Sequence, residues 1–158
     1  PSVEDKDIGT ILKTVGMTLL SKVGGAAGPL YSTMFMKAGT SIGAKTEMEL
    51  NDWAQALEAG TVGIANLGKA QPNDTTMLDA LYPALNALGA AMGNGTSTGE
   101  ALQKSADAAH EGMLATIPLV ARKGRASYLG ERSAGHQDPG ATSTYFLIKS
   151  AADTWKDC

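Results

Sequence analysis

Three stretches of this sequence carry residues whose types and spacing suit the binding of a phosphorylated ligand. From Arg122 the chain reads Arg-Lys-Gly-Arg-Ala-Ser-Tyr-Leu-Gly-Glu-Arg-Ser, which gathers Arg122, Lys123, Arg125 and Arg132 in a protein of net charge −3. A guanidinium donates two parallel hydrogen bonds to a phosphate, and clustered cations make a local positive site on an acidic protein. The run continues through His136, Gln137, Asp138, Pro139, Gly140 and Ala141. Its plain alternative is a solvated loop closed by a Pro-Gly turn. A second stretch, Ser21 to Pro29, holds Gly24, Gly25 and Gly28. Glycines let main-chain N–H groups approach an anion, and a following helix adds the positive end of its dipole. No Gly-Lys-Ser/Thr follows, so this is not a Walker loop, and a simple turn between helices accounts for it equally well. The third stretch, Gly68 to Met77, carries Asn73, Asp74, Thr75 and Thr76, which suit either a sugar or phosphate or a helix cap. His110 has no second His or Cys at ligand spacing and reads as structural. His136 borders the polar run, as a site donor or as a turn residue.

These stretches need a scaffold, and the composition points to helices. The 158 residues fit one domain spanning 1–158. Apolar residues make up 43% and charged residues 18%, enough to bury a core. Aromatics are only 5%, and the abundance of Ala, Leu, Met and Gly favours close-packed helices over strands. The acidic balance excludes a nucleic-acid-coating surface. No apolar run approaches the ~18–20 residues of a membrane span. With no signal-peptide pattern either, the cytoplasm is the expected location. The lone cysteine, Cys158, can form no internal disulfide and no zinc cluster. Pro1 is not a Met and a helix begins almost at once, so residues upstream are expected to be missing.

Ile8, Ile11, Leu12, Val15 and Leu19 form the stripe of an amphipathic helix ending near Gly24. A second helix is predicted from about Pro29 to Ala38, then a loop from Gly39 to Ala44. Thr46 and Glu49 read as a capping box for a helix with Leu50, Trp53, Leu57 and Ile64 inward, ending near Gly68. Asp74 or Thr75 caps the next, whose stripe is Met77, Leu81, Leu85, Leu88 and Met92, stopped at Gly93-Asn94-Gly95. Ser97 and Glu100 open a fifth helix to about Arg122, kinked at Pro118. Residues 123–141 show no apolar period. The closing helix uses Tyr145, Phe146, Ile148, Ala152 and Trp155. Six helices with short connections imply antiparallel neighbours.

Gly-Arg-Ala-Ser-Tyr-Leu-Gly-Glu-Arg-Ser at 124–133, followed by Gly-His-Gln-Asp-Pro-Gly-Ala at 135–141, resembles the signature of the dihydroxyacetone kinase L family. Gly16-Met17-Thr18-Leu19-Leu20-Ser21 through Gly28-Pro29-Leu30 resembles that family's phosphate loop, and Gly68-Lys69-Ala70 with Asp74, Thr76 and Met77 is similar to it as well. The resemblance runs in register along nearly the whole chain. It implies an all-α antiparallel up-and-down barrel of eight helices, of which about six are visible here, holding ADP or ATP above two Mg²⁺ ions. The family's Mg²⁺ ligands are aspartates that would lie upstream of Pro1. No Asp-x-Asp-x-Gly pattern occurs in residues 1–158, so no metal ligand is expected in this chain.

Carried over by motif, the resemblance places Ala26 and Ala27 against the phosphates through their N–H groups. It places Gly68 and Met77 at the adenine or ribose and Arg125 facing the phosphates as the catalytic cation. Asp138, Pro139 and Gly140 would close the site. The family often has Ser at position 27, and Ala27 removes a donor worth about 1–2 kcal/mol. The implied activity is that of a phosphoenolpyruvate-dependent glycerone kinase. A phosphocarrier M subunit recharges the nucleotide, and the phosphoryl group passes to dihydroxyacetone on the K subunit. A homodimer also stays open. The alternatives are an L-type domain of an ATP-dependent dihydroxyacetone or fatty-acid kinase, and a non-catalytic helical binding module. An Asp-rich loop upstream would favour the kinases.

Overall fold

The computed structural model describes residues 5–156. The expectations about Pro1 and Cys158 lie outside the described residues. Within them the chain forms six α-helices and one 3₁₀ helix, with no strand, so the fold class is all-α. The chain divides into two compact units, Pro1–Lys69 and Ala70–Cys158.

The first unit holds α1 (Ile8–Lys22), α2 (Ala27–Ile42) and α3 (Leu50–Gly68). Asp7 starts α1, its carboxylate accepting from Thr10 N at 2.7 Å and from Thr10 Oγ1 at 2.8 Å. The fully buried positions of α1 are Gly9 and Gly16, while the stripe Ile8, Ile11, Leu12, Val15 and Leu19 is only half-buried. Glycine takes the inside because the helices touch through backbone. A Cβ on Gly9 would run into the Gly43 and Gly39 carbonyls, and one on Gly16 would sit 3.0 Å from Ser32 O. The start of α1 thus meets the end of α2, an antiparallel pair. Gly60 against Met34 and Gly68 near Leu30 set α3 antiparallel to α2 in the same way.

Two boundaries differ from expectation. Residues 39–42 continue α2 instead of looping, and the helix stops at Gly43 with φ 66°. The start of α3 is framed by Glu49 and Asp52, not Thr46. The Asp52 carboxylate accepts from Glu49 N at 3.1 Å and pairs with Lys45 at 2.6 Å.

The second unit holds α4 (Leu78–Gly93), α5 (Thr98–Ala115), the 3₁₀ helix (Arg125–Ser133) and α6 (Pro139–Trp155). Ser105 Oγ donates to Ala84 O at 3.0 Å, and Gly112 lies against Asp79 O and Pro83, so α4 and α5 are antiparallel. Gly99 against Lys156 O and the ring contact of His110 with Tyr145 at 5.0 Å set α6 antiparallel to α5. That leaves α4 and α6 parallel, with their N-termini side by side. Leu78, Leu81, Leu88, Leu102 and Ile148 are fully buried, each contributing about 1.5–3 kcal/mol.

The fifth helix stops at Ala115 rather than near Arg122. There Thr116 turns back on the helix, its hydroxyl donating to Met113 O at 2.7 Å. Pro118 therefore lies beyond the helix and kinks nothing, and its ring disfavours helical backbone at Ile117. In α6, Ile148 and Ala152 are buried but Phe146 is exposed.

Candidate functional site

In the first unit the glycine stretch is a tight connection, Val23 to Ala26, between α1 and α2. Gly25 has φ 69°, and Gly28 lies so close to the Val23 carbonyl that no side chain fits. The N-cap of α2 is Ala26, and no side chain caps its first turn. Its N–H groups are the kind of orphan donor an anion can satisfy. Ala26 is exposed and Ala27 half-buried. Gly68 is the last residue of α3, and a Cβ there would lie 3.6 Å from Leu30, one turn along α2 from Ala26. Ala26, Ala27 and Gly68 therefore share one end of this unit.

In the second unit the loop before α4 is braced by two carboxylates. Asp79 accepts from Asn73 N and from Thr76 N, the latter at 2.8 Å. Asp74, itself buried, accepts from Gln71 N at 2.9 Å and lies 3.8 Å from the Arg122 guanidinium. These bonds hold Asn73 at φ 70° and Thr75 at φ 63°, a left-handed conformation that costs an L residue about 1–2 kcal/mol. Thr75 is buried and its Oγ1 has no hydrogen-bond partner. Neither Asp74 nor Thr75 caps α4 as expected. The N-cap is Met77, and Thr76 Oγ1 accepts from Leu78 N at 3.2 Å.

The cationic stretch is 3₁₀-helical on either side of a kink at Gly130, which has φ 55°, and is preceded by Gly124 at φ 66°. Ser127 Oγ donates to Gly124 O, and Ser133 Oγ accepts from Ala121 N at 2.9 Å and donates to Gly130 O. Gly135 N donates to Ile117 O at 2.7 Å, and Asp138 N to Thr116 Oγ1 at 3.0 Å. Asp138 then caps α6, accepting from Ala141 N at 2.7 Å, with Pro139 in the first turn. Gly140 follows, where a Cβ would stand 3.4 Å from Met77 N. Met77 and the Asp138-Pro139-Gly140 turn are thus brought together.

Burial raises the Asp138 carboxyl above its usual range. The Ala141 and Gly140 N–H groups oppose that shift, and the Asp79 charge reinforces it. Arg125 is exposed and forms none of the ion pairs among the described residues. His136 is exposed as well.

Among the described residues no group of three His, Cys, Asp or Glu could hold a metal ion. Thr116 and Ser133 escaped the sequence reading because each meets backbone brought near only by folding, and Asp79 because it braces a loop whose left-handed residues no pattern marks. The one local signal was an acid in the first turn of α4, the usual place for a capping carboxylate.

A family model described as the DAK2 domain matches residues 1–153. The chain belongs to the DAK2 domain family. This DAK2 domain is 46% identical over 152 residues to "PEP-dependent dihydroxyacetone kinase, ADP-binding subunit DhaL" of Escherichia coli, covering 96% of this chain and 72% of that protein. It is 42% identical to "PEP-dependent dihydroxyacetone kinase 2, ADP-binding subunit DhaL" of Listeria innocua, covering 95% and 69%. Among solved structures it is similar to the native dihydroxyacetone kinase of C. freundii, with TM-score 0.68 and 29% identity over 94% of this chain. It spans 24% of that longer protein. No helix among the described residues is long and apolar enough to cross a membrane.

Proposed function

We propose that this chain is the ADP/ATP-binding subunit of a phosphoenolpyruvate-dependent dihydroxyacetone kinase. It would take a phosphoryl group from a phosphocarrier protein through its bound nucleotide and pass it to dihydroxyacetone on a separate kinase subunit. The observation that carries this reading is the 46% identity to the Escherichia coli ADP-binding subunit over 96% of this chain. Two local features suit it. The first turn of α2 offers uncapped N–H groups at Ala26 and Ala27, and Arg125 presents a guanidinium with no carboxylate partner.

In this reading Ala26 and Ala27 donate to phosphate oxygens and Gly68 serves the base or ribose, and the family resemblance assigns Met77, Asp138, Pro139 and Gly140 to nucleotide binding as well. The bound nucleotide supplies the phosphoryl group. Arg125 neutralises charge as that group moves, since phosphoryl transfer asks for positioning and charge neutralisation more than covalent chemistry. Titrating ADP by calorimetry tests the reading. One ADP per chain is expected, weakened about tenfold or more by Arg125→Ala, with phosphoryl transfer to dihydroxyacetone falling further than affinity. No heat on ADP addition to the wild-type protein would overturn it.

A further inference from the structure

Asp74 makes more bonds than its turn requires. The turn from Gln71 is closed twice, by Asp74 N donating to Gln71 O at 3.2 Å and by Asp74 Oδ2 accepting from Gln71 N at 2.9 Å. An asparagine would serve that turn equally well. The second carboxylate oxygen, Oδ1, faces the Arg122 guanidinium at 3.8 Å. The main chain adds a further tie, since the Asp74 carbonyl accepts from Arg122 N at 3.1 Å. Asp74 is only 8% exposed, whereas the Arg122 side chain is 72% exposed. Withdrawing a carboxylate from water is costly, and an ion pair to so exposed an arginine returns little stability. What the pair supplies is direction.

The cationic segment both enters and closes beside Arg122. Ala121 N donates to Ser133 Oγ at 2.9 Å, which joins the entry to the far end of the 3₁₀ run. Lys123 and Gly124 lead from Arg122 to Arg125. Three residues of chain reach at most about 11 Å, so an anchor at Arg122 limits where Arg125 can stand. On the other side of Asp74 the loop is held at Asn73 N and Thr76 N by Asp79 and runs on to Met77. One residue thus joins the loop that leads to Met77 to the segment that carries Arg125.

We propose that Asp74 is a positioning residue for phosphoryl transfer: by holding Arg122 it fixes Arg125 relative to the loop that leads to Met77. This rests on the reading of the chain as a nucleotide-binding kinase subunit with Arg125 at the moving group. The effect falls on the transfer step. A guanidinium displaced by about 1 Å loses much of its value for developing charge, while the nucleotide keeps its other contacts.

The test measures transfer to dihydroxyacetone at saturating nucleotide in the reconstituted kinase, and ADP affinity by calorimetry. The variants are Asp74→Asn, Arg122→Gln and the two together, each also combined with Arg125→Ala. Asp74→Asn keeps an oxygen for Gln71 N, and Arg122→Gln changes a side chain that stands mostly in solvent, so the second carries the test if the first fails to fold. Each single variant is expected to slow transfer about tenfold, with ADP affinity within about threefold of wild type. The double variant should be no slower than the slower single one, and neither change should slow the residual transfer of Arg125→Ala protein further. Arg122→Gln protein that transfers at the wild-type rate would overturn the proposal. So would an ADP affinity that falls as far as the rate, which would place the pair at the nucleotide itself. A further loss in Arg125→Ala protein would give the pair a role apart from Arg125 and overturn it too. In each case wild-type binding and transfer leave the functional reading standing. A wild-type protein that neither binds ADP nor transfers would remove that reading and this one with it.

Discussion

Replacing Asp79 with Ala should release the loop before α4. The carboxylate accepts from Asn73 N and Thr76 N, and a hydrogen bond to a charged group contributes about 1.5–3 kcal/mol net. Asp79 is half-buried, which argues for the low end. Its place in the first turn of α4 adds about 0.3–1 kcal/mol against the helix dipole. Opposing this, Asn73 and Thr75 would be free to leave their left-handed conformations, returning about 1–2 kcal/mol each. Removing the charge also relieves Asp138. The balance is a global loss between about zero and about 2 kcal/mol, at most roughly 8 °C in melting temperature. The local effect is much larger. Amide exchange should show the Thr76 N–H losing most of its protection while the α5 core keeps its own. Asp79→Asn, with one acceptor oxygen left, should fall between. An Asp79→Ala protein with unchanged Thr76 exchange would refute the view that this carboxylate holds the loop.

Gly112→Ala should destabilise by about 1–3 kcal/mol despite the better helix propensity of alanine, because its Cβ would strike the Asp79 carbonyl. Gly89→Ala, with open space around it, should be neutral or stabilising; urea denaturation of the pair checks the contrast. Asp138→Asn keeps the cap and removes a buried charge. The wild-type carboxyl is raised above 3.8, so its protonation favours the folded state. That gain is complete below 3.8 and lost as pH rises through the higher folded value. The variant should therefore be the more stable protein at pH 7, and its advantage should close as pH falls towards 4. A constant difference across that range in denaturant titrations would contradict the burial argument.

The helices were readable because their periodicity is local and a cap such as Ser97 acts three residues away. What could not be read was contact between distant backbones. An apolar stripe marked α1, yet its closest packing falls on Gly9 and Gly16, which no hydrophobic pattern singles out. The end of α5 was missed because Thr116 looks like one more helical residue until its hydroxyl is seen turning back on Met113. The 3₁₀ helix has too short a period and too few apolar residues to register. Of the candidate site, the residue types were legible. The bracing by Asp79 and Ser133 was not, since its partners are backbone atoms.

The glycine seam between α1 and α2 also bears on how the connection from Val23 to Ala26 is to be interpreted. One inserted residue there would rotate α2 by about 100° about its axis. Gly39 would swing away from Gly9 and a bulkier side chain would take its place. The length of that turn is therefore dictated from below, by two helices that fit in one register only. A turn that never varies in length is usually credited to the ligand it touches. Here the same constancy would persist in a protein that had lost its ligand altogether, and only the chemical character of residues 24–27 can report on binding.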